Sequence, residues 1–128
     1  MSAGIILTVA AGGATGAVAR YLLASEIGSW TGPAFPWGTF AVNVLGCAIM
    51  GLLTELFALA WSPSPEMRAF LTVGILGGFT TFSAFSLDAV LMMERNDWAP
   101  ALFYVVGSVV LSLLGFFAAM RLVRVLFA

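Results

Sequence analysis

Long apolar runs, separated by short polar or proline-rich segments, dominate the residue pattern of this chain. A helix that crosses the hydrocarbon core of a bilayer needs about 20 mostly apolar residues. Four stretches meet this requirement, approximately Gly4 to Ala24, Trp37 to Trp61, Ala69 to Met93 and Ala101 to Phe127. The runs are continuous, whereas strands of a membrane β-barrel alternate apolar and polar residues. The pattern therefore predicts an all-α membrane protein with four transmembrane helices in a single domain, residues 1–128.

The segments between the runs carry residues that end helices. Ser25 to Pro36 contains glycines and prolines, Ser62 to Glu66 contains two prolines, and Glu94 to Pro100 is mostly polar. All four tryptophans lie at or beside the ends of the predicted spans, where indole rings favour the membrane interface. The first run also resembles a signal peptide, with Ala17-Val18-Ala19 as a cleavage site. No Lys or Arg precedes its apolar core, so we predict a retained span.

Composition narrows the class of protein further. Apolar residue types make up 62% of the chain and charged types 9%, whereas soluble domains have about 45–50% and 25%. The chain has five arginines, no lysine and a formal net charge of −1, which excludes a basic surface for nucleic acid. It has no histidine, no paired carboxylates and one cysteine, Cys47, so we expect neither an enzyme nor a metal site of clustered side chains.

The orientation of the spans is poorly specified. Positive residues accumulate in the cytoplasmic loops of membrane proteins. With the N-terminus inside, Arg68, Arg121 and Arg124 would lie toward the inner side, and Arg20 and Arg95 toward the outer side. Three residues against two is almost no bias. We therefore hypothesise dual topology, in which the chain inserts both ways up and forms an antiparallel pair; a weak bias toward one orientation is the alternative.

The size of the chain favours association. Four helices are too few to enclose a wide polar path and also bury every polar side chain. Small residues four apart allow helices to approach closely, and two such pairs are present, Gly12 with Gly16 and Gly74 with Gly78. We predict a homodimer with paths at or near its interface.

Polar side chains inside the second and fourth spans are candidates for lining such a path, because polar groups in lipid need a partner or a cavity. Asn43 lies near the centre of span two, with Thr39 one turn before it. Its amide could join helices, or it could direct its NH₂ group at an ion. In span four, Tyr104, Ser108 and Ser112 form one stripe of hydroxyls about 12 Å long. Serine can also bond to carbonyls of its own helix, but three hydroxyls in register favour a path.

The third span contains an unusual centre. Gly77 and Gly78 make a poor helix interior and are followed by β-branched Thr80 and Thr81. We predict a broken helix, although a kinked helix with close glycine packing is the alternative. Backbone freed by a break is tolerated in a membrane only inside protein or along a cavity, where carbonyls can hold a cation and N–H groups an anion.

Aromatic rings and one arginine complete the candidate site. Phe82 and Phe85 are three residues apart and therefore neighbours on one helix face. Rings at this spacing are usually core, but their positive edges could contact a dehydrated anion. Arg20 lies a few residues inside the end of span one, where it could snorkel to the interface or form a positive vestibule.

Three segments together resemble a known family. They are Gly12 to Tyr21, Gly38 to Gly46 and Gly77 to Ser83, in that order and over nearly the whole chain. The chain is thereby similar to the Fluc fluoride channels, also called CrcB, of bacteria and archaea. The resemblance implies an antiparallel, dual-topology homodimer in the bacterial inner membrane, with two separate fluoride pores. Such a channel passively exports fluoride that entered an acidified cell as HF, and thereby protects the cell.

The resemblance also implies roles for individual residues. Asn43 corresponds to a pore donor, and Phe82 and Phe85 to aromatics that contact fluoride with their ring edges. The hydroxyls of Tyr104, Ser108 and Ser112 correspond to a polar track, and we add Thr39 to the pore candidates. A structural sodium ion is implied at the dimer centre, held by main-chain carbonyls of Gly77 and Thr80 from each subunit. The implied partners are fluoride, a second copy of the chain and the bilayer.

Two other functions are considered. A small proton-coupled multidrug antiporter also has four short helices and dual topology, but it needs a membrane-embedded carboxylate. Span one contains no Asp or Glu, and Asp88, toward the end of span three, is the only plausible candidate. A scaffold or assembly subunit would need neither a hydroxyl stripe nor a broken helix. We rank both below the channel.

Overall fold

The computed structural model describes residues 1–128, and it is all-helical. Four of its segments are long and apolar enough to cross a membrane: Ala3–Thr31, Trp37–Leu59, Pro65–Glu94 and Trp98–Phe127. This confirms the prediction of an all-α chain with four candidate spans. The first, second and fourth segments are the single helices α1 (Ala3–Thr31), α2 (Trp37–Leu59) and α6 (Trp98–Phe127).

The ends of three spans differ from the prediction. The third span begins at Pro65, four residues earlier than predicted, because a proline is tolerated in the first turn and the Ser64 hydroxyl caps the helix. Helix α1 continues to Thr31, through seven residues that we predicted as loop, and stops where Gly32 adopts a φ of 81° before Pro33. Gly28 alone does not end the helix, because a glycine inside a helix costs only about 1 kcal/mol. Helix α6 begins at Trp98, earlier than predicted, because Pro100 falls in its first turn, where no intrahelical N–H bond is lost.

The third span is a composite of four helical pieces. It runs through α3 (Pro65–Ala69), a π-helical segment (Phe70–Leu76), α4 (Gly77–Phe79) and α5 (Phe82–Glu94). Thr80 and Thr81 between α4 and α5 have extended backbone, with ψ of 154° and 118°, and the span bends there. The two glycines expected to interrupt the helix are themselves helical, and the bend lies at the β-branched pair that follows them.

Close backbone contact joins α1 to the first half of the third span. Four glycines form this contact, and we call them the glycine seam: Gly12, Gly16, Gly74 and Gly78. A methyl group added at Gly12 would lie 2.7 Å from the Phe70 carbonyl oxygen, and one at Gly78 would lie 2.5 Å from that of Gly13. The small residues expected to allow close helix approach therefore pack against each other within one chain.

Helix α2 packs mainly along α6, and α5 contacts α6 as well. Gly51 of α2 lies against the backbone of Phe116 on α6. Near the same end, Arg124 donates from Nε to Oε1 of Glu55 at 3.2 Å, and Glu55 is buried. These contacts fix α2 and α6 relative to each other and to α5, the second half of the third span.

Little of the chain is buried within itself. Only 18 of 128 residues are buried, and large apolar side chains are exposed along every span. Water would not tolerate so much apolar surface on a folded monomer, whereas lipid tails or a second protein surface would cover it. The fold is thus suited to a bilayer.

Candidate functional site

A groove of about 330 Å³ opens between α2, the bend of the third span, α5 and α6. None of its lining residues is charged. The lining comprises Asn43, Cys47, Thr80, Thr81, Phe82, Phe85, Ser108, Val109, Ser112 and Leu113. The structure thus brings together candidates from three different spans that are far apart in sequence.

The Asn43 side chain bridges α2 to the bend. Its Oδ1 accepts a hydrogen bond from the Thr81 backbone N–H at 2.7 Å, and its Nδ2 donates to the Thr81 carbonyl at 3.0 Å. Two bonds to one residue hold Thr81 in its extended conformation. An amide NH₂ has two hydrogens, so one of them is left for a ligand in the groove. The helix-joining role considered for Asn43 is present, and it does not exclude the role of donor.

Two serine hydroxyls lie on the α6 wall of the groove. The Ser108 side chain is only 6% exposed, and its Oγ has no hydrogen-bond partner. Ser112 lies one turn further along and lines the same groove. Eight other hydroxyls bond to a carbonyl of the preceding turn: those of Thr8, Thr15, Ser29, Thr31, Thr54, Thr72, Thr80 and Ser86.

Phe82 and Phe85 lie together beside these hydroxyls. Their ring centroids are 5.4 Å apart and their planes are tilted by 42°. Phe82 is 78% exposed, whereas Phe85 is 8% exposed. The Phe85 ring also contacts Tyr104 at a centroid distance of 5.1 Å, so one face of this residue belongs to the groove and another to the core.

Tyr104 and Thr39 do not line the groove. Tyr104 is fully buried in the core, and its hydroxyl donates to Asp88 Oδ2 at 3.0 Å. Thr39, one turn before Asn43, lines a second cavity of about 200 Å³ together with Asp88 and Arg95. The predicted candidates therefore fall into two cavities, with the buried Tyr104 hydroxyl bonded to a residue of the second.

Main-chain carbonyl groups at the bend differ in their partners. Leu76 O accepts from Thr80 N at 3.1 Å, and Gly78 O accepts from Arg20 Nε at 3.2 Å. None of the hydrogen bonds outside the helical ladders ends on the carbonyl oxygen of Gly77 or Thr80. Uncharged oxygen atoms of this kind suit a hard cation such as Na⁺, so these two residues fit the ion implied for them.

Arg20 is tied to the bend and partly buried. Apart from the Nε bond to Gly78, its guanidinium makes no hydrogen bond or ion pair within the chain. It therefore lies beside α4, where it supplies positive charge next to carbonyl groups at the end of that helix, as expected for a cation at a helix C-terminus.

Comparison with known proteins gives the family. A family model described as CrcB-like protein, Camphor Resistance (CrcB), matches residues 7–120. The chain belongs to the CrcB family. A CrcB relative from Rhodospirillum centenum, named fluoride-specific ion channel FluC, is 55% identical over 120 residues, which cover 94% of this chain and 95% of the relative.

Other CrcB relatives are similar over the same extent. One from Nitrobacter winogradskyi is 52% identical over 121 residues, covering 94% of this chain and 96% of the relative. One from Rhizobium meliloti is 51% identical over 119 residues, covering 93% of this chain and 95% of the relative. Both are named fluoride-specific ion channel FluC. The relatives of this CrcB chain are thus named as ion channels, not as enzymes.

The sequence did not predict three features of these cavities, namely two residues and one contact. Cys47 follows Asn43 by four residues and therefore shares its helix face, a signal that could have placed it in the groove. Asp88 was considered only as an antiporter carboxylate, yet it is the partner of the Tyr104 hydroxyl. The contact of Thr81 with Asn43 joins residues 38 apart in the chain, and no local pattern indicates it.

Proposed function

We propose that this chain is a passive, fluoride-selective ion channel that exports fluoride from the cytoplasm. The printed names of its relatives support the substrate. The observation that carries the proposal is the buried Ser108 hydroxyl, which has no partner in the chain and lines an uncharged groove beside two aromatic rings.

The neutral donors and ring edges of this groove favour a small dehydrated anion as its ligand. Leaving a buried hydroxyl without a hydrogen bond costs about 1–3 kcal/mol, which an anion accepting that hydrogen bond would offset. Ser108, Ser112 and the remaining N–H of Asn43 are neutral donors, and the edges of Phe82 and Phe85 carry partial positive charge. A passage formed by this groove and a second subunit would disfavour chloride by size, because chloride is the larger ion.

Passive flow is favoured over proton-coupled exchange. An antiporter needs a carboxylate that takes up and releases protons in the substrate path. The groove contains no carboxylate, and Asp88, the one candidate, lies in the second cavity and accepts a hydrogen bond from Tyr104. Fluoride therefore follows its own gradient, which points outward when HF has entered an acidified cell and dissociated.

An antiparallel homodimer is the assembly we propose. The 78% exposure of Phe82 beside the groove supports a second copy covering that side. Arg68 at the start of the third span and Arg121 and Arg124 near the end of α6 lie toward one end of the bundle, Arg95 after α5 lies at the other, and Arg20 is bonded to Gly78 between them. Three arginines against one is a small difference, which is compatible with insertion both ways up. A symmetric pair would contain two grooves, hence two pores, in the bacterial inner membrane.

Sodium is proposed as a structural ion of this pair. The carbonyl oxygens of Gly77 and Thr80 are two ligands per chain, and a hard cation usually takes about six oxygen atoms. Carbonyls from both subunits would supply four oxygen atoms, twice what one chain offers, which favours a position of the ion between the chains. Such an ion would satisfy backbone groups that lipid cannot satisfy.

Anion efflux from liposomes tests the function. Purified protein is reconstituted in vesicles loaded with fluoride or chloride, and anion release is followed with ion-selective electrodes, with and without a proton gradient. We expect rapid fluoride release that does not depend on the proton gradient, and little chloride release. Equal release of both anions would contradict selectivity, and release only with a proton gradient would contradict passive flow.

A further inference from the structure

Cys47, the single cysteine of the chain, lies on the wall of the groove. It follows Asn43 by one turn of α2, so the two side chains share a face of that helix. The thiol is free and the residue is partly exposed. A reagent small enough to enter the groove would therefore meet an unpaired sulfur atom.

The Ser108 hydroxyl is an independent indication that this groove binds a ligand. It comes from α6, a different wall of the same groove, and it is 6% exposed with no hydrogen-bond partner. The groove volume of about 330 Å³ is large enough for more than a single small ion. A thiol and an unpaired hydroxyl thus lie in one accessible space that the chain itself does not fill.

We infer that Cys47 is a binding site for thiophilic metal species of the alkylmercury(II) class, and that a metal bound there closes the groove to fluoride. In the binding step the thiol loses its proton, the sulfur forms a bond to mercury, and chloride leaves the mercury atom. Nothing is oxidised or reduced. Thiolate sulfur is the soft ligand that such metals prefer, and an alkylmercury ion needs only one protein ligand.

Closure follows from the position of the sulfur atom. Cys47 shares the groove with Asn43, Phe82 and Phe85, which are candidates for contacting fluoride. An alkylmercury group on the sulfur would fill space between α2 and α6 and place a methyl group among these residues. This second half of the inference rests on the proposed function, whereas formation of the adduct does not.

Methylmercury chloride added to the reconstituted protein tests both the binding at Cys47 and the closure of the groove. Intact-mass spectrometry should show one adduct per chain in the wild type and none in Cys47→Ser. Fluoride release from wild-type vesicles should fall to the level of protein-free vesicles and recover after dithiothreitol. Release through Cys47→Ser should be the same before and after the reagent.

A relocated thiol provides the matched control. Leu45 lies on the same helix, is 44% exposed, and does not line the groove. In the double variant Cys47→Ser/Leu45→Cys, we expect an adduct without loss of fluoride release. Equal loss through this variant would overturn closure of the groove, because the effect would not depend on position.

Two further outcomes would overturn the inference. If the folded wild type resists the reagent while the protein unfolded in dodecyl sulfate reacts, Cys47 is not an accessible site. If the adduct forms and fluoride release is undiminished, the sulfur does not lie in the anion path. Absence of fluoride release from untreated wild-type vesicles would instead contradict the proposed function, and the adduct measurement would still decide the binding site.

Discussion

The glycine seam lies along the first half of the third span and the groove at its bend and second half, and they are built in opposite ways. At the seam, glycines of α1 and the third span approach until main-chain atoms touch, with no room for a methyl group. At the groove, α2, α5 and α6 leave open space lined by a hydroxyl without a partner. Close packing at the seam restrains the backbone of the third span, whereas the groove keeps a polar group without a partner.

Filling the seam should have the largest effect. In Gly16→Ala, the added methyl group would collide with the Ile75 carbonyl oxygen, a main-chain atom that cannot rotate away. Overpacking of a tight core typically costs about 1–3 kcal/mol, and a backbone obstacle belongs at or above the upper end of that range. We expect little folded protein, or a strongly lowered melting temperature measured by size-exclusion chromatography after heating.

Gly13→Ala is the matched control on the same helix. A methyl group at Gly13 would meet no atom within 4 Å, and replacing glycine by alanine inside a helix is favourable by about 1 kcal/mol. The melting temperature should stay the same or rise. If Gly13→Ala and Gly16→Ala behave alike, the seam does not hold the third span.

The second largest effect is expected from a negative charge at Asn43, which joins α2 to the bend. Asn43→Asp replaces the donor that faces the Thr81 carbonyl by a carboxylate oxygen, and it puts negative charge in the groove. We expect fluoride release to be abolished, because an anion is repelled there and Thr81 loses one of its two bonds. The neutral variant Asn43→Ser separates these causes, since it removes the amide without adding charge, and it should keep part of the release. Normal release through Asn43→Asp would show that Asn43 is not in the anion path.

Truncating the aromatic rings should reduce transport more than stability. Phe82→Ile alters an exposed ring, so fluoride release should fall while the melting temperature is unchanged. Phe85→Ile should reduce release and also lower the stability by about 1 kcal/mol, because Phe85 packs against Tyr104 in the core. Unchanged release in both variants would remove the ring edges from the mechanism.

The smallest effect is expected from truncating Ser108. Unlike a substitution in the seam, this change should raise the stability. Ser108→Ala removes a buried hydroxyl that has no partner, so the free energy of unfolding should rise by about 1 kcal/mol while fluoride release falls moderately. Ser86→Ala is the control, because the Ser86 hydroxyl is already bonded to the Phe82 carbonyl and lies outside the groove lining. It should change neither quantity. Loss of stability in Ser108→Ala would show that this hydroxyl has a partner in the folded protein.

Local sequence signals predicted the spans well and their ends less well. The four apolar runs predicted the number of spans, because lipid demands long apolar segments whatever their neighbours. The predicted end of α1 lies too early in the chain. Single glycines weaken a helix only slightly, and the combination of Gly32 and Pro33 is what stops it.

The candidate site was predicted only in part, because helical periodicity places residues on a face and does not say what covers that face. Tyr104, Ser108 and Ser112 form one stripe on α6, yet Tyr104 is buried against Asp88 while the serines line the groove. Nothing within α6 distinguishes them. The neighbouring side chains of α5 and α2 make the difference.

The sequence by itself determined that this is a four-span helical membrane protein with polar residues at helical spacing, and its motifs indicated the family. Only the tertiary structure decided that the glycine pairs pack within one chain, that Asn43 holds Thr81, and that Cys47 shares a groove with Ser108. The physical reason is that hydropathy and periodicity are properties of one helix. Close backbone approach and an unsatisfied hydroxyl are properties of the space between helices.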